Sequence, residues 1–125
     1  MSKIPEKVAA LITQQVHHEL HAHTTYLAMS AFFERGAFRG FARYFRRQAG
    51  EEHAHAMKFF DFLIERGNDA ILGEVKAPKT EYKQPVDVFK AALEHEQRIT
   101  GLIHKIYDAA LAAKDFATLE MLNWF

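Results

Sequence analysis

A glutamate and a histidine three residues apart, Glu52 and His55, interrupt the apolar face of a long helical pattern in the middle of the chain. Residues with this spacing project to the same side of a helix, so both side chains are expected to face the core. Burying a carboxylate and an imidazole there costs several kcal/mol unless a partner holds them. A metal ion is the partner that suits both groups. The pair therefore predicts a metal site inside a helical bundle.

The rest of the chain reads as helices with one long interruption. The predicted elements are helix A over residues 5–35, helix B over 38–66, a crossover over 67–84, helix C over 85–113 and the start of helix D over 115–125. Pro5 suits a first helical turn, and Gly36 marks the end of helix A. A loop as long as the crossover is unusual in a compact domain, which indicates a topological connection. We expect one all-α domain over residues 1–125.

Each long helix carries one predicted inward stripe. In helix A the stripe is Val8, Ile12, Val16, Glu19, His23, Tyr26, Ser30 and Phe33. In helix B it is Phe41, Phe45, Gln48, Glu52, His55, Phe59 and Phe62. In helix C it is Phe89, Leu93, Glu96, Ile99, Ile103, Ile106 and Ala110. All three stripes are apolar at both ends and carry ligand-type residues near the middle.

Helix length places these ligand-type residues at one level. A helix of about 30 residues is roughly 45 Å long, and Glu19, Glu52 with His55, and Glu96 each lie near a midpoint. Carboxylate oxygens with one imidazole nitrogen suit iron, manganese or, less selectively, zinc. Tyr26 lies two turns from Glu19 on the same face. It either hydrogen-bonds a ligand or donates an electron, or it is a core tyrosine whose hydroxyl is satisfied by a neighbour.

Composition excludes several classes of function. Lys+Arg and Asp+Glu both number 16, and this zero net charge argues against a nucleic-acid binder, which needs clustered basic residues. No apolar stretch is long enough to span a membrane, and the first residues lack the apolar region of a secretory leader. There is no cysteine, hence no disulfide framework and no thiolate metal site. A cytoplasmic location is expected.

These residues resemble those of a non-haem ferritin of the bacterial and archaeal type. The resemblance covers nearly the whole chain and rests on Glu19 with Tyr26, the run Glu51-Glu52-His53-Ala54-His55, the long crossover, His95-Glu96-Gln97 and Leu122-Asn123-Trp124-Phe125. It implies a ferritin-like four-helix bundle in which the crossover joins helices B and C. The last run resembles the opening of the family's fourth helix, so that helix is expected to be truncated.

The resemblance also implies a set of iron ligands. Glu19, Glu52 and His55 would bind the first ferroxidase iron, and Glu52 would bridge to a second iron that Glu96 helps to bind. Glu51 matches a carboxylate that serves a third, accessory iron in some bacterial members. The implied function is iron storage and detoxification. Family members oxidise Fe(II) with dioxygen or peroxide at a di-iron site and store ferric mineral in a homo-oligomeric cage of 24 subunits.

Three related groups fit less well. In haem-containing bacterioferritins a methionine that ligates haem follows the bridging glutamate, whereas His53 stands here, so no haem is expected. The DNA-protecting mini-ferritins place their ligands between subunits and often carry a basic tail, unlike the intrachain set of this chain. Di-metal oxidoreductases of the rubrerythrin type usually carry a cysteine-bound iron, which a chain without cysteine cannot form.

The predicted short fourth helix leaves two functions open. One is the ferroxidase and storage protein described above. The alternative is a truncated, non-catalytic helical assembly fragment that binds metal but cannot complete the site or cage. In either case His55 must be neutral to bind a metal, so metal affinity is expected to fall as the pH drops through the imidazole range.

Overall fold

The computed structural model describes residues 3–125 and contains four helices within that range. Helix α1 spans Glu6–Arg35, α2 spans Arg39–Glu65, α3 spans Pro85–Ala112 and α4 spans Phe116–Leu122. No strand forms among the described residues, which confirms the all-α fold class with a short fourth helix. None of these helices combines the length and the apolar character of a membrane span.

Helices α1 and α2 form the main packing unit because their apolar stripes face each other. The short connection after Arg35 reverses the chain, so α2 returns alongside α1, and α3 then packs against α1. Seven of the eight stripe positions predicted for α1 are buried, and the eighth, His23, is half-buried. In α2 the prediction was wrong for Phe41, whose side chain is 44% exposed.

Two apolar clusters fill the core, one on each side of a polar layer. One cluster consists of Ile4, Val8, Ile12, Val16, Phe59, Phe62, Leu63, Ile106, Ala110, Met121 and Leu122. The other consists of Tyr26, Met29, Phe33, Ala42, Phe45, Ala49 and Val88. Glu19 lies between the clusters on α1, and Glu52 lies between them on α2; both carboxylates are buried. These two carboxylates were predicted to lie at one level of the bundle, and both lie in this polar layer.

Helix α3 buries less of its predicted stripe than expected. Its buried residues are Val88, Ile99, Ile106 and Ala110. Leu93, Phe89 and Glu96, all predicted to face inward, are exposed; the exposed fractions of Leu93 and Phe89 are 61% and 39%. The physical reason is that α3 packs against α1 and α4, whereas these three residues line an open cavity beside α2.

Ala37, and not Gly36, makes the left-handed turn that ends α1. Ala37 has φ 62°, whereas Gly36 has an ordinary φ of −89°. The N–H of Phe38 donates to the carbonyl oxygen of Phe33 at 2.9 Å, which closes the helix end in the manner of a Schellman motif. A residue with a Cβ atom is strained at this φ, and glycine is not.

Replacing Ala37 by glycine is therefore expected to stabilise the fold. The left-handed conformation costs an L-residue about 1–2 kcal/mol, which glycine avoids. Glycine also makes the unfolded chain more flexible, and this offsets about 0.4–1 kcal/mol of the gain. A gain of about 0.5–1 kcal/mol in the free energy of unfolding should appear in urea denaturation. The matched control is Ala113→Gly, because Ala113 also follows a helix but has φ −85°. That control should give no gain; an equal gain in both variants would contradict the assignment.

The crossover between α2 and α3 lies on α1 and is held there by two histidines. The N–H of Gly73 donates to Nε2 of His17 at 2.8 Å, and Nδ1 of His21 donates to the carbonyl oxygen of Lys76 at 2.8 Å. His17 and His21 are one helical turn apart, so the crossover is fixed at two successive turns of α1.

A buried ion pair ties the end of α2 to the start of α4. Nη1 of Arg66, the residue after α2, lies 3.2 Å from Oδ1 of Asp115, the residue before α4. Asp115 also caps α4, because its carboxylate accepts from the N–H and from the hydroxyl of Thr118, at 3.4 and 2.6 Å. All three side chains are buried.

Candidate metal centre

Glu19 from α1 and Glu52 with His55 from α2 converge in the polar layer between the two clusters. Nδ1 of His55 lies 3.6 Å from Oε2 of Glu19 and 3.4 Å from Oε2 of Glu52. One potential ligand atom from each residue lies within 4.8 Å of the other two. It is the one such group of three acidic or histidine side chains among residues 3–125.

The donor atoms of this group fit a metal ion. Two ligand atoms bound at about 2.0–2.2 Å from one ion lie roughly 3–3.6 Å apart, and the two measured distances to His55 Nδ1 match that range. Oε2 of Glu19, Oε2 of Glu52 and Nδ1 of His55 are all buried and have no hydrogen-bond partner. Buried polar atoms are rarely left without partners. Three such atoms pointing to one place are what a cation would satisfy.

Gln15 orients the carboxylate of Glu19. It lies one turn earlier on α1, is 1% exposed, and its Nε2 donates to Oε1 of Glu19 at 3.0 Å. This bond leaves Oε2 of Glu19 to face Glu52 and His55. Sequence reasoning missed Gln15, although its spacing of four from Glu19 places it on the same helix face.

Replacing Gln15 by alanine should weaken metal binding without removing a ligand. Loss of the partner that orients a ligand typically lowers metal affinity by about 10–100-fold, and the same range is expected here. Isothermal titration with Co²⁺, which does not consume dioxygen in the way Fe(II) does, measures the affinity directly. Gln14→Ala is the matched control, because Gln14 is the exposed neighbour on the same helix. Equal affinities for the two variants would show that Gln15 does not position Glu19.

Electrostatics in this group favour a proton on His55 when no cation is bound. The nearby carboxylates of Glu19 and then of Glu52 raise the pKa of His55 to about 10, against the opposing effect of burial. Burial also raises the pKa of Glu52, because the charged carboxylate loses solvation. A bound cation would replace the proton as the positive partner of the two carboxylates. Competition between proton and metal therefore extends to a higher pH than the imidazole range expected from the sequence.

Metal binding at neutral pH is accordingly expected to release a proton. With the pKa of His55 at about 10, the side chain is protonated at pH 7 and must become neutral to bind. Affinity should rise by about tenfold per pH unit as the pH increases from 7 to 8.5. Titrating Zn²⁺ in buffers of different ionisation enthalpy counts the released protons. A pH-independent affinity over this range would mean that His55 is already neutral or does not bind.

The structure places Glu96 and Tyr26 next to this group and outside it. The hydroxyl of Tyr26 donates to Oε1 of Glu96, so the exposed carboxylate of α3 is tied to the buried tyrosine of α1. Burial and this hydrogen bond both raise the pKa of Tyr26. Tyr26 and Glu96 also line an open cavity of about 380 Å³ between α1, α2 and α3. Glu51, predicted as an accessory ligand, is exposed on α2.

His95 is a second residue that sequence reasoning left unassigned. Its ring packs edge-on against Tyr26, with 5.6 Å between ring centroids. Nε2 of His95 is buried without a hydrogen-bond partner, and burial lowers the pKa of the imidazole. The negative charges of Glu96 and Glu52 act on it in the opposite direction. The only sign of His95 in the sequence is that it directly precedes Glu96. Helical periodicity alone places that position beside the predicted inward stripe and not on it.

Aromatic residues at the end of the described chain cover His55. The ring of Phe125 lies 5.3 Å from the imidazole and that of Trp124 lies 5.7 Å from it. Phe125 also stacks on Phe59 at 4.4 Å. These rings keep the imidazole half-buried beside the two carboxylates.

Known proteins are similar to this chain over most of its length. Residues 9–125 match the ferritin-like domain family. A bacterial non-heme ferritin of Staphylococcus saprophyticus is 37% identical over 114 residues, which are 91% of this chain and 68% of that protein. The Staphylococcus epidermidis non-heme ferritin is 34% identical over 122 residues, or 98% of this chain and 74% of the relative.

Solved structures show the same similarity in three dimensions. An open pore ferritin from the archaeon Archaeoglobus fulgidus superimposes with a TM-score of 0.95 at 37% identity, covering 99% of this chain and 76% of that one. The ferritin of Chlorobium tepidum superimposes with a TM-score of 0.93 at 36% identity, covering 97% and 74%. The chain belongs to the ferritin family, and the two staphylococcal relatives are non-heme ferritins.

Proposed function

We propose that this protein stores iron and oxidises Fe(II), with Glu19, Glu52 and His55 binding the first Fe(II) ion as substrate. The observation that carries the proposal is the convergence of three buried donor atoms that have no hydrogen-bond partner. Two carboxylates and one imidazole form a donor set that suits Fe(II). The carboxylates also favour the product, because they stabilise the additional positive charge of Fe(III).

A second Fe(II) would lie between Glu52 and Glu96. Glu52 can bridge two ions through its two oxygens, and Glu96 is close enough to bond the Tyr26 hydroxyl beside the group. Binding an ion here would draw the Glu96 carboxylate from Tyr26, whose hydroxyl would then be free to bond a ligand of that ion or to donate an electron. The exposed carboxylate of Glu51 is available for an accessory ion.

Two Fe(II) ions at one site match the electron count of the oxidant. Each Fe(II) gives up one electron, and dioxygen takes two electrons and two protons to form hydrogen peroxide. With peroxide as the oxidant, two electrons and two protons yield two water molecules. The protons that the site must lose include the one on His55 in the metal-free protein.

We further propose that the ferric product is stored by an oligomer in the cytoplasm. Exposed apolar side chains support association with further protein surface: Leu93 is 61% exposed, Leu111 54% and Phe116 69%. Exposed apolar surface of this kind is typical of protein interfaces. The cage of 24 subunits is proposed from the family resemblance.

The test separates binding from oxidation by using the single tryptophan. Trp124 lies 5.7 Å from His55, so Fe(II) added without dioxygen should quench its fluorescence. Dioxygen is then admitted, and the ferric absorbance should grow faster than in protein-free buffer. Sedimentation analysis gives the mass of the assembly. Quenching with no accelerated oxidation would contradict the ferroxidase proposal and favour the metal-binding assembly protein, and no quenching would contradict both.

A further inference from the structure

A second pair of potential metal ligands lies on the outer side of α1 and α2. The ring centroids of His23 on α1 and His53 on α2 are 5.3 Å apart, at an interplanar angle of 60°. His53 is exposed and His23 is half-buried, so the pair is open to solvent. His53 follows Glu52 directly, and the helical turn of about 100° per residue directs it away from the buried carboxylates.

The spacing of the two rings is compatible with coordination of one ion. A metal bound at about 2.0–2.1 Å from an imidazole nitrogen lies roughly 3.2 Å from the ring centroid. Two imidazoles at the tetrahedral angle around that ion then have centroids about 5.2 Å apart. The observed separation of 5.3 Å agrees with this value.

The hydrogen bonding of His23 leaves one ring nitrogen available for a metal ion. Nδ1 of His23 donates to the carbonyl oxygen of Ala49 at 2.7 Å. Metal-binding histidines commonly donate their second ring N–H to a backbone carbonyl, which fixes the tautomer and leaves the other nitrogen as the donor to the metal. This arrangement frees the lone pair of Nε2, and no hydrogen bond within residues 3–125 uses it.

A different histidine pair, His17 and His21, lies on α1 alone and has no ring nitrogen available for a metal ion. His17 and His21 are spaced for a metal site on a helix, but their ring nitrogens already bond within the chain. The partners are the carbonyl oxygen of Thr13 and the N–H of Gly73 for His17, and the carbonyl oxygen of Lys76 and the hydroxyl of Thr25 for His21. Binding an ion there would break contacts that hold the crossover in place.

We propose that His23 and His53 form a second metal site, which binds a divalent cation that prefers imidazole nitrogen, such as Cu²⁺ or Zn²⁺. Two nitrogen donors and no carboxylate make the site softer than the Glu19–Glu52–His55 group, so the two sites select different metals. Water can reach the remaining coordination positions in the single chain, where His53 is exposed. The proposal uses none of the residues assigned to iron and stands independently of the ferroxidase proposal.

Pulsed electron paramagnetic resonance with Cu²⁺ as the probe tests this site, because the method counts the imidazoles bound to one ion. The wild-type protein should bind Cu²⁺ through two imidazoles, whereas the Glu19–Glu52–His55 group offers one. His53→Gln and His23→Gln should each lose the two-imidazole signal and lower the Cu²⁺ affinity by at least about tenfold. Glu52→Ala should keep that signal. His104→Gln, which alters an exposed histidine of α3, is the matched control and should behave as wild type.

Circular dichroism of each variant confirms that the helices are intact before the signals are compared. A single-imidazole signal in the wild type would overturn the proposal. An unchanged two-imidazole signal in a folded His53→Gln variant would overturn it as well. Loss of the signal in Glu52→Ala with retention in His53→Gln would assign the copper to the carboxylate group instead.

Discussion

Replacing Glu52 by alanine is expected to slow initial Fe(II) oxidation by at least about 100-fold. Loss of a residue that only orients a ligand typically costs about 10–100-fold, and loss of a ligand should cost more. The variant loses the one carboxylate proposed to contact both iron ions. It also leaves Oε2 of Glu19 and Nδ1 of His55 facing each other without the third donor atom. Stopped-flow absorbance of the ferric product measures the rate, and quenching of Trp124 measures Fe(II) binding in the same samples.

The fold should tolerate this change. Burial raises the pKa of Glu52, so ionising its carboxylate opposes folding, and removing it leaves a space and no unpaired charge at that position. Glu65→Ala is the matched control, because Glu65 lies exposed at the end of the same helix. The control should oxidise Fe(II) at the wild-type rate with unchanged helicity. Wild-type kinetics in Glu52→Ala would remove Glu52 from the ligand set.

Replacing Asp115 by alanine is expected to have the largest effect on stability. The change removes one partner of a buried ion pair and leaves the Arg66 charge with less compensation, which typically costs about 3–5 kcal/mol. The same change removes the cap of α4, because Thr118 loses its acceptor. Urea denaturation followed by circular dichroism measures the loss.

Asp115→Asn separates the two contributions. Asparagine caps helices about as well as aspartate does but carries no charge, so this variant isolates the ion pair from the cap. Asp108→Ala, at an exposed position of α3, controls for the loss of a carboxylate elsewhere. We expect Asp115→Asn to lie between wild type and Asp115→Ala, and Asp108→Ala to match wild type within about 0.5 kcal/mol. An Asp115→Ala variant as stable as Asp108→Ala would show that the pair contributes nothing.

The part of the site that could be predicted follows from helical periodicity. Glu19, Glu52 and His55 lie on apolar stripes of long helices, and a helix of known length and face places such residues without knowledge of the loops. The observed helices α1 and α2 begin and end within a residue or so of the predicted ranges. Local spacing is sufficient for this kind of inference, because each stripe depends only on its own helix.

Gln15 could have been found from its spacing to Glu19, but other contacts that escaped prediction join residues far apart in the sequence. His17 and Gly73 are 56 residues apart, and Arg66 and Asp115 are 49 apart, so their pairing exists only once the helices have packed. The exposure of Leu93 was missed for a related reason. Periodicity tells which side of a helix is apolar, but burial depends on whether another element covers that side.

The polar layer between the two core clusters has a consequence for the alignment of α1 and α2. Two apolar helix faces can slide past each other by one turn, about 5.4 Å, and still bury apolar side chains. In this protein such a slide would move the carboxylate of Glu52 from Glu19 to the level of Val16 or Ala22, both of which are fully buried. A buried carboxylate without a partner costs several kcal/mol, so the displaced pairing is disfavoured. Glu19 and Glu52, which are proposed to bind iron, thus also fix the relative position of the two helices in the metal-free protein.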